Sequence, residues 1–157
     1  MSIASFADWL DSTAPSLALK SNFWIVPSVQ SVHIIAVCLV FSGAVICSLR
    51  AWSIVGVEWT PQFWARRLYP ALWWSLLVLL ITGSTLVLCE PPRELPNWSF
   101  QLKMACVLAA TLCSLWLTRR FYGSGDAPVS LSVRILSSFT VLLWIVVICA
   151  GRWIAYV

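Results

Sequence analysis

The residues able to do chemistry in this chain are few, and most are ionisable groups set in apolar surroundings. His33 is the only histidine, and the stretch from Val29 to Val40 around it carries no other ionisable group except Cys38. An imidazole there can donate or accept a proton near neutral pH. Gln30, three residues earlier, shares its face of a helix and offers both a donor and an acceptor. Glu90, Lys103 and Arg152 stand near the ends of three other apolar runs. An ionisable group in a bilayer is costly enough to mark a functional candidate, so His33, Gln30, Glu90, Lys103 and Arg152 form the expected ligand-binding set. Lys103 and Arg152 suit an anionic or carbonyl-bearing group, with His33 and Gln30 deeper. The same residues also have a structural reading, in which Glu90 pairs with Arg152 or Arg93 at the surface and His33 bonds Gln30 or a backbone carbonyl.

Metal and enzyme chemistry finds less support. Histidine is the usual axial ligand of a b-type haem in a four-helix membrane bundle. With one histidine, the second ligand has to be Met104, or His33 of another copy across a two-fold axis. Copper through His33 and Cys38 fails on spacing, since five residues place the two on different faces. The six cysteines lie in or at the ends of apolar runs, as packing residues do. Neither CxxC, CxxCH nor a His-rich tract is present to suggest zinc or a c-type haem. GxSxG, HExxH, GxGxxG and the P-loop are absent too, so no catalytic residue is assigned.

The elements that must position these groups are four apolar segments. Of 157 residues, 61% are hydrophobic and 10% charged, against about 45–50% and about 25% in a soluble domain. That much apolar surface needs lipid. The expected spans are 23–49, 68–89, 100–118 and 131–150, each able to cross a hydrocarbon core of about 30 Å. They are apolar on every face and show no period-2 alternation. The expected fold is therefore all-α: a single integral membrane domain built as a four-transmembrane-helix bundle. Ile3, Phe6, Ala7, Trp9 and Leu10, beside Asp8 and Asp11, predict a short N-terminal interfacial helix, and the N-terminus lacks the pattern of a signal peptide. The connectors are 51–67, rich in aromatics, the Pro-rich 90–98, and a turn at Gly123-Ser124-Gly125-Asp126. His33 lies about 15 Å into the first span, near the midplane. All five candidate residues fall in one half of the bundle, whereas the other half holds arginines at helix ends that can snorkel.

Arg50, Arg66, Arg67, Arg119, Arg120 and Arg134 fall on one side of these spans and Lys20, Arg93, Lys103 and Arg152 on the other. The positive-inside rule then places both termini outside a bacterial cytoplasmic (inner) membrane. No basic stripe supports nucleic-acid binding. Small residues at Gly43, Ala44, Gly83, Ser84, Ala109 and Ala110 permit close helix contact, and helices apolar all round leave surface for a homo-oligomer or a larger membrane complex.

With the spans placed, the string from Phe23 to His33, the Leu49-Arg50 helix end and Gly56 resemble an uncharacterised family of small four-helix bacterial integral membrane proteins. So do Gly83, Asn97 through Phe100, and Lys103. The resemblance covers nearly the whole chain. It implies four helices and a histidine in the first span, and points to no particular activity. The functional expectation is a binding or accessory subunit with an outward-facing pocket around His33 for a small lipophilic or quinone-like ligand. The alternatives are an oligomeric channel or transporter and a haem b electron-transfer anchor.

Overall fold

In the computed structural model, which describes residues 2–123 and 129–153, the chain folds into helices with no strand among the described residues. They are α1 (Ile3–Asp11), α2 (Ala14–Lys20), α3 (Ile25–Ala51), α4 (Pro61–Cys89), α5 (Pro91–Glu94), α6 (Trp98–Gly123) and α7 (Leu131–Trp153). Helices α3, α4, α6 and α7, of 27, 29, 26 and 23 residues, are long and apolar enough to cross a membrane. Each packs on its neighbours in the cyclic order α3, α4, α6, α7, and the diagonal pairs barely meet. This is an up-down-up-down bundle. Its two hairpins, α3–α4 and α6–α7, are each more intimate than the seams between them.

The core holds small and polar side chains around a few large ones. Val40, Ala44, Leu72, Ala110, Leu117, Phe121 and Trp144 are buried at its centre. Ile35, Leu39, Leu80, Ile81, Leu108 and Leu142 point outward and are exposed. Such mid-helix exposure has no counterpart in a water-soluble bundle, where these positions would be polar; lipid is the solvent that accepts it. Several buried hydroxyls are satisfied within their own helices. Ser75, Ser114 and Thr140 donate to the carbonyls of Ala71, Ala110 and Leu136, each at 2.8 Å.

Several elements differ from expectation. Helix α4 begins at Pro61, two turns before the expected span, so Phe63, Trp64, Arg66 and Arg67 are helical and no longer connector residues. The reason is local: Thr60 Oγ1 accepts from Phe63 N at 3.2 Å, and Pro61 occupies the first turn, where its missing N–H costs nothing. Pro70, expected at the start of the span, lies inside this helix, which continues through it. The N-terminal segment is two helices, broken where Ser12 and Thr13 turn their hydroxyls back onto the carbonyls of Trp9 and Leu10, both at 2.7 Å. Helix α1 packs on α5, and α2 on α4 and α3. Ala7 and Ser16 are thereby fully buried, while Ile3, Phe6 and Trp9 stay exposed. Gly123 ends α6; the rest of the expected turn, Ser124 to Asp126, lies outside the described residues, as does any continuation of the last span beyond Trp153.

The two ends of the bundle are built differently. One end carries α1, α2 and α5; the other carries the 52–60 connector. In that connector Ser53 and Gly56 have positive φ values of 58° and 66°. A methyl group at Gly56 would fall 2.5 Å from the Trp64 indole, whose Nε1 donates to the Gly56 carbonyl at 3.2 Å. Only glycine fits that approach.

Candidate functional site

Of the five expected site residues, the structure fixes His33 most firmly. Its Nδ1 lies 2.8 Å from Thr82 Oγ1 on α4. The Thr82 hydroxyl lies 2.7 Å from the Val78 carbonyl in the preceding turn and donates its single proton there. It therefore accepts from the imidazole, which makes His33 the Nδ1–H tautomer. The ring is half-buried, and its Nε2 has no partner among the described residues. Gly83 follows Thr82, and a methyl group there would sit 3.4 Å from His33 Cε1. The histidine thus occupies the α3–α4 seam with Thr82 holding one nitrogen and Gly83 leaving room beside the ring. Thr82 and Gly83 are legible in sequence only as small packing residues; one turn-spaced hydroxyl facing the lone histidine is the signal that would have marked Thr82.

The other members separate into two groups. Lys103, half-buried on α6, runs along Gly151 of α7, its Nζ 3.8 Å from where a methyl group on Gly151 would sit. It is in electrostatic reach of His33 and of Glu94 and makes no ion pair within 4 Å among the described residues. Arg152 is exposed in the last turn of α7, next to Gly151. Glu90 instead pairs with Arg93 at 3.0 Å on the surface. Gln30 is exposed on α3 and makes no hydrogen bond among the described residues, so the partner of His33 comes from a neighbouring helix and not from the preceding turn. Met104 is exposed on α6, diagonal to the helix that carries His33. No cluster of three or more His, Cys, Asp or Glu side chains suited to a metal occurs among the described residues.

Glu94, absent from the expected set, lies on α5 beside this group. Burial pushes its carboxyl above the usual value; Lys103 and Arg93 pull it back, and Glu90 adds to the rise.

Above the His33–Thr82 pair, at the same end of the bundle, a surface cleft of about 590 Å³ opens where the short helices meet α3 and α4. Phe23, Val26, Pro27, Cys89 and Pro92 form its apolar wall, and Asp11, Lys20, Glu90 and Arg93 its charged rim. Lys20 and Asp11 are ion-paired across it. Val26 and His33, and Cys89 and Thr82, are each seven residues apart, two helical turns on one face. The cleft therefore lies at the head of the seam that ends at His33.

The opposite half of the bundle is more polar than its sequence suggests. Arg50, expected to snorkel, is 7% exposed; its Nη2 turns inward and donates to the Trp59 carbonyl at 2.7 Å. Trp52 Nε1 donates to Ser138 Oγ at 2.9 Å. Tyr69, 2% exposed, lines a void of about 10 Å³ with Cys47, Ser114, Ser137 and Thr140. Cys47 and Thr118 flank its hydroxyl, yet neither meets hydrogen-bond geometry, and Tyr69 Oη and Trp144 Nε1 are buried without a partner among the described residues. A void of that size is at the lower limit for one water, so this region is packing and not a ligand site. No family model, curated protein or solved structure matches this chain.

Proposed function

We propose that this protein is an integral membrane binding or accessory subunit that holds a small lipophilic, quinone-like ligand at His33. One observation carries the reading: a half-buried imidazole is anchored through Nδ1 at 2.8 Å to Thr82 while its Nε2 is left open. An anchored ring with one free nitrogen is preorganised, because its orientation is fixed before a ligand arrives. In the Nδ1–H tautomer Nε2 is an acceptor, so it takes the hydroxyl hydrogen of a quinol-type head. Lys103 supplies the complementary donor for the other hydroxyl oxygen of the same head. The exposed aliphatic surface of the bundle gives the ligand's tail a lipid-like path.

The placement in a bacterial cytoplasmic membrane with both termini outside, the membership of a homo-oligomer or larger complex, and the resemblance to the small four-helix family belong to the same proposal. They rest on the arginine distribution, the all-round apolar helices and the short motifs respectively. The apolar face of α1 lies in the membrane interface on this reading, with Phe6 and Trp9 toward lipid.

The test is ligand retention. Protein purified in mild detergent from membranes that contain a long-chain quinone pool, kept reduced, should carry quinol. His33→Leu should lose it and still unfold at nearly the same temperature. Equal retention by His33→Leu would refute the assignment.

A further inference from the structure

We propose that the cleft between α2, α3 and α5 binds the headgroup of a zwitterionic phospholipid, its phosphate facing Lys20 and Arg93 and its ammonium facing Asp11 and Glu90. This site does not depend on the reading of His33. The cleft lies where α3 begins at Ile25 and α4 ends at Cys89, the level at which apolar spans give way to headgroups. Exposed Phe23 and Trp24 stand at the same level, as interfacial aromatics do. Its volume of about 590 Å³ lies within the range of about 300–1,000 Å³ typical of small-ligand pockets.

The charge pattern selects the class of lipid. The rim carries two carboxylates and two cations, each cation already facing a carboxylate: Lys20 with Asp11, and Arg93 with Glu90. An anionic headgroup would gain the cations but meet both carboxylates, with no net positive charge to favour it. A headgroup that carries its own cation and anion inserts between opposed charges and satisfies all four. The apolar wall formed by Phe23, Val26, Pro27 and Pro92 then receives the glycerol and the first acyl carbons. A primary ammonium suits Asp11 and Glu90 best, because it can donate to both carboxylates. The rim side chains are between a third and just over a half exposed, so screening keeps the preference modest.

The experiment places the full chain in nanodiscs of equal parts phosphatidylethanolamine and phosphatidylglycerol with identical acyl chains, exchanges it into detergent, and measures the retained lipid by mass spectrometry. Phosphatidylethanolamine should be enriched about fivefold, the discrimination worth expecting from partly exposed ion pairs. Lys20→Ala/Arg93→Ala should bring the ratio close to unity. Val26→Trp should do the same by filling the cleft with both ion pairs intact, which guards against a folding defect in the double variant. Arg119→Ala, at the other end of the bundle, should keep the enrichment. Equal or preferential retention of phosphatidylglycerol by the unaltered chain, an unchanged ratio in both cleft variants, or loss of enrichment in Arg119→Ala would each overturn the proposal.

Discussion

The two ends of this bundle solve the same problem in opposite ways. At the end of the 52–60 connector, polar groups are folded inward and stitched together: Arg50 to the Trp59 carbonyl, Trp52 to Ser138, and Trp64 to the Gly56 carbonyl. At the end that carries α1, α2 and α5, polar groups face a cleft or a seam and stay partly exposed: the two ion pairs on the rim, Lys103 along Gly151, and Nε2 of His33. The closed end turns several of its donors onto its own carbonyls and a hydroxyl. The difference teaches where to look for a ligand, because the polar groups that line an outward-opening cleft and seam lie at the end that carries α1, α2 and α5.

The contrast breaks most sharply at Gly56. Its positive φ and the Trp64 ring against it mean that Gly56→Ala should destabilise the fold by about 3 kcal/mol through strain and overpacking. Thermal unfolding in detergent reads this directly, and a change under about 0.5 kcal/mol would mean that the connector yields easily and is not a rigid stitch.

A smaller effect of opposite sign is expected at Tyr69. Its hydroxyl is buried without a partner among the described residues, so Tyr69→Phe should raise stability by about 1 kcal/mol by removing an unsatisfied group. A loss of stability would show that the hydroxyl is bonded, to a water in the adjacent void or to Thr118.

At the open end, His33→Leu should move stability by less than about 1 kcal/mol, the typical worth of an interhelical polar contact in a membrane, while ligand retention disappears. The two effects on one substitution sharpen the comparison, since no single substitution at the closed end should separate binding from stability.

The smallest effect concerns pH. Burial raises the Glu94 carboxyl above its ordinary value, so the folded chain holds that proton more tightly than the unfolded chain does. The sign follows: stability is greatest below the ordinary carboxylate value and declines as pH rises through the raised folded value. The melting temperature should therefore drift down as pH rises above the ordinary glutamate value of about 4.3, and Glu94→Gln should flatten the drift. A slope unchanged in Glu94→Gln would assign it to other groups.

Four helices, their order and the apolar surface were legible in the sequence because hydrophobic length is the dominant signal in a membrane chain. Helix ends were less so: the two extra turns of α4 depend on Thr60 and Pro61 acting as cap and first turn, a local signal overridden in the reading by the aromatic and basic character of Phe63 through Arg67. The site was legible in part. Lone His33 marks itself by its cost in lipid, but its partner Thr82 is on another helix, and sequence spacing favoured Gln30, which the bundle leaves exposed. Glu90 and Lys103 sit at similar depths and still belong to different groups, because depth follows from counting residues and azimuth does not. Arg50 and Tyr69 were hidden for the same reason: whether a polar group on an apolar helix faces outward or turns inward is decided by its neighbours.

On the proposed function, His33 is anchored through Nδ1 and keeps Nε2 for a ligand. As the only histidine, it gives a single imidazole when the chain is made with 15N-labelled histidine. Solid-state NMR in lipid bilayers should show a neutral Nδ1–H tautomer, and adding a reduced long-chain quinone should shift the Nε2 resonance and leave Nδ1 nearly unmoved. An Nε2–H tautomer, or an Nε2 resonance unmoved at saturating quinol, would contradict the account.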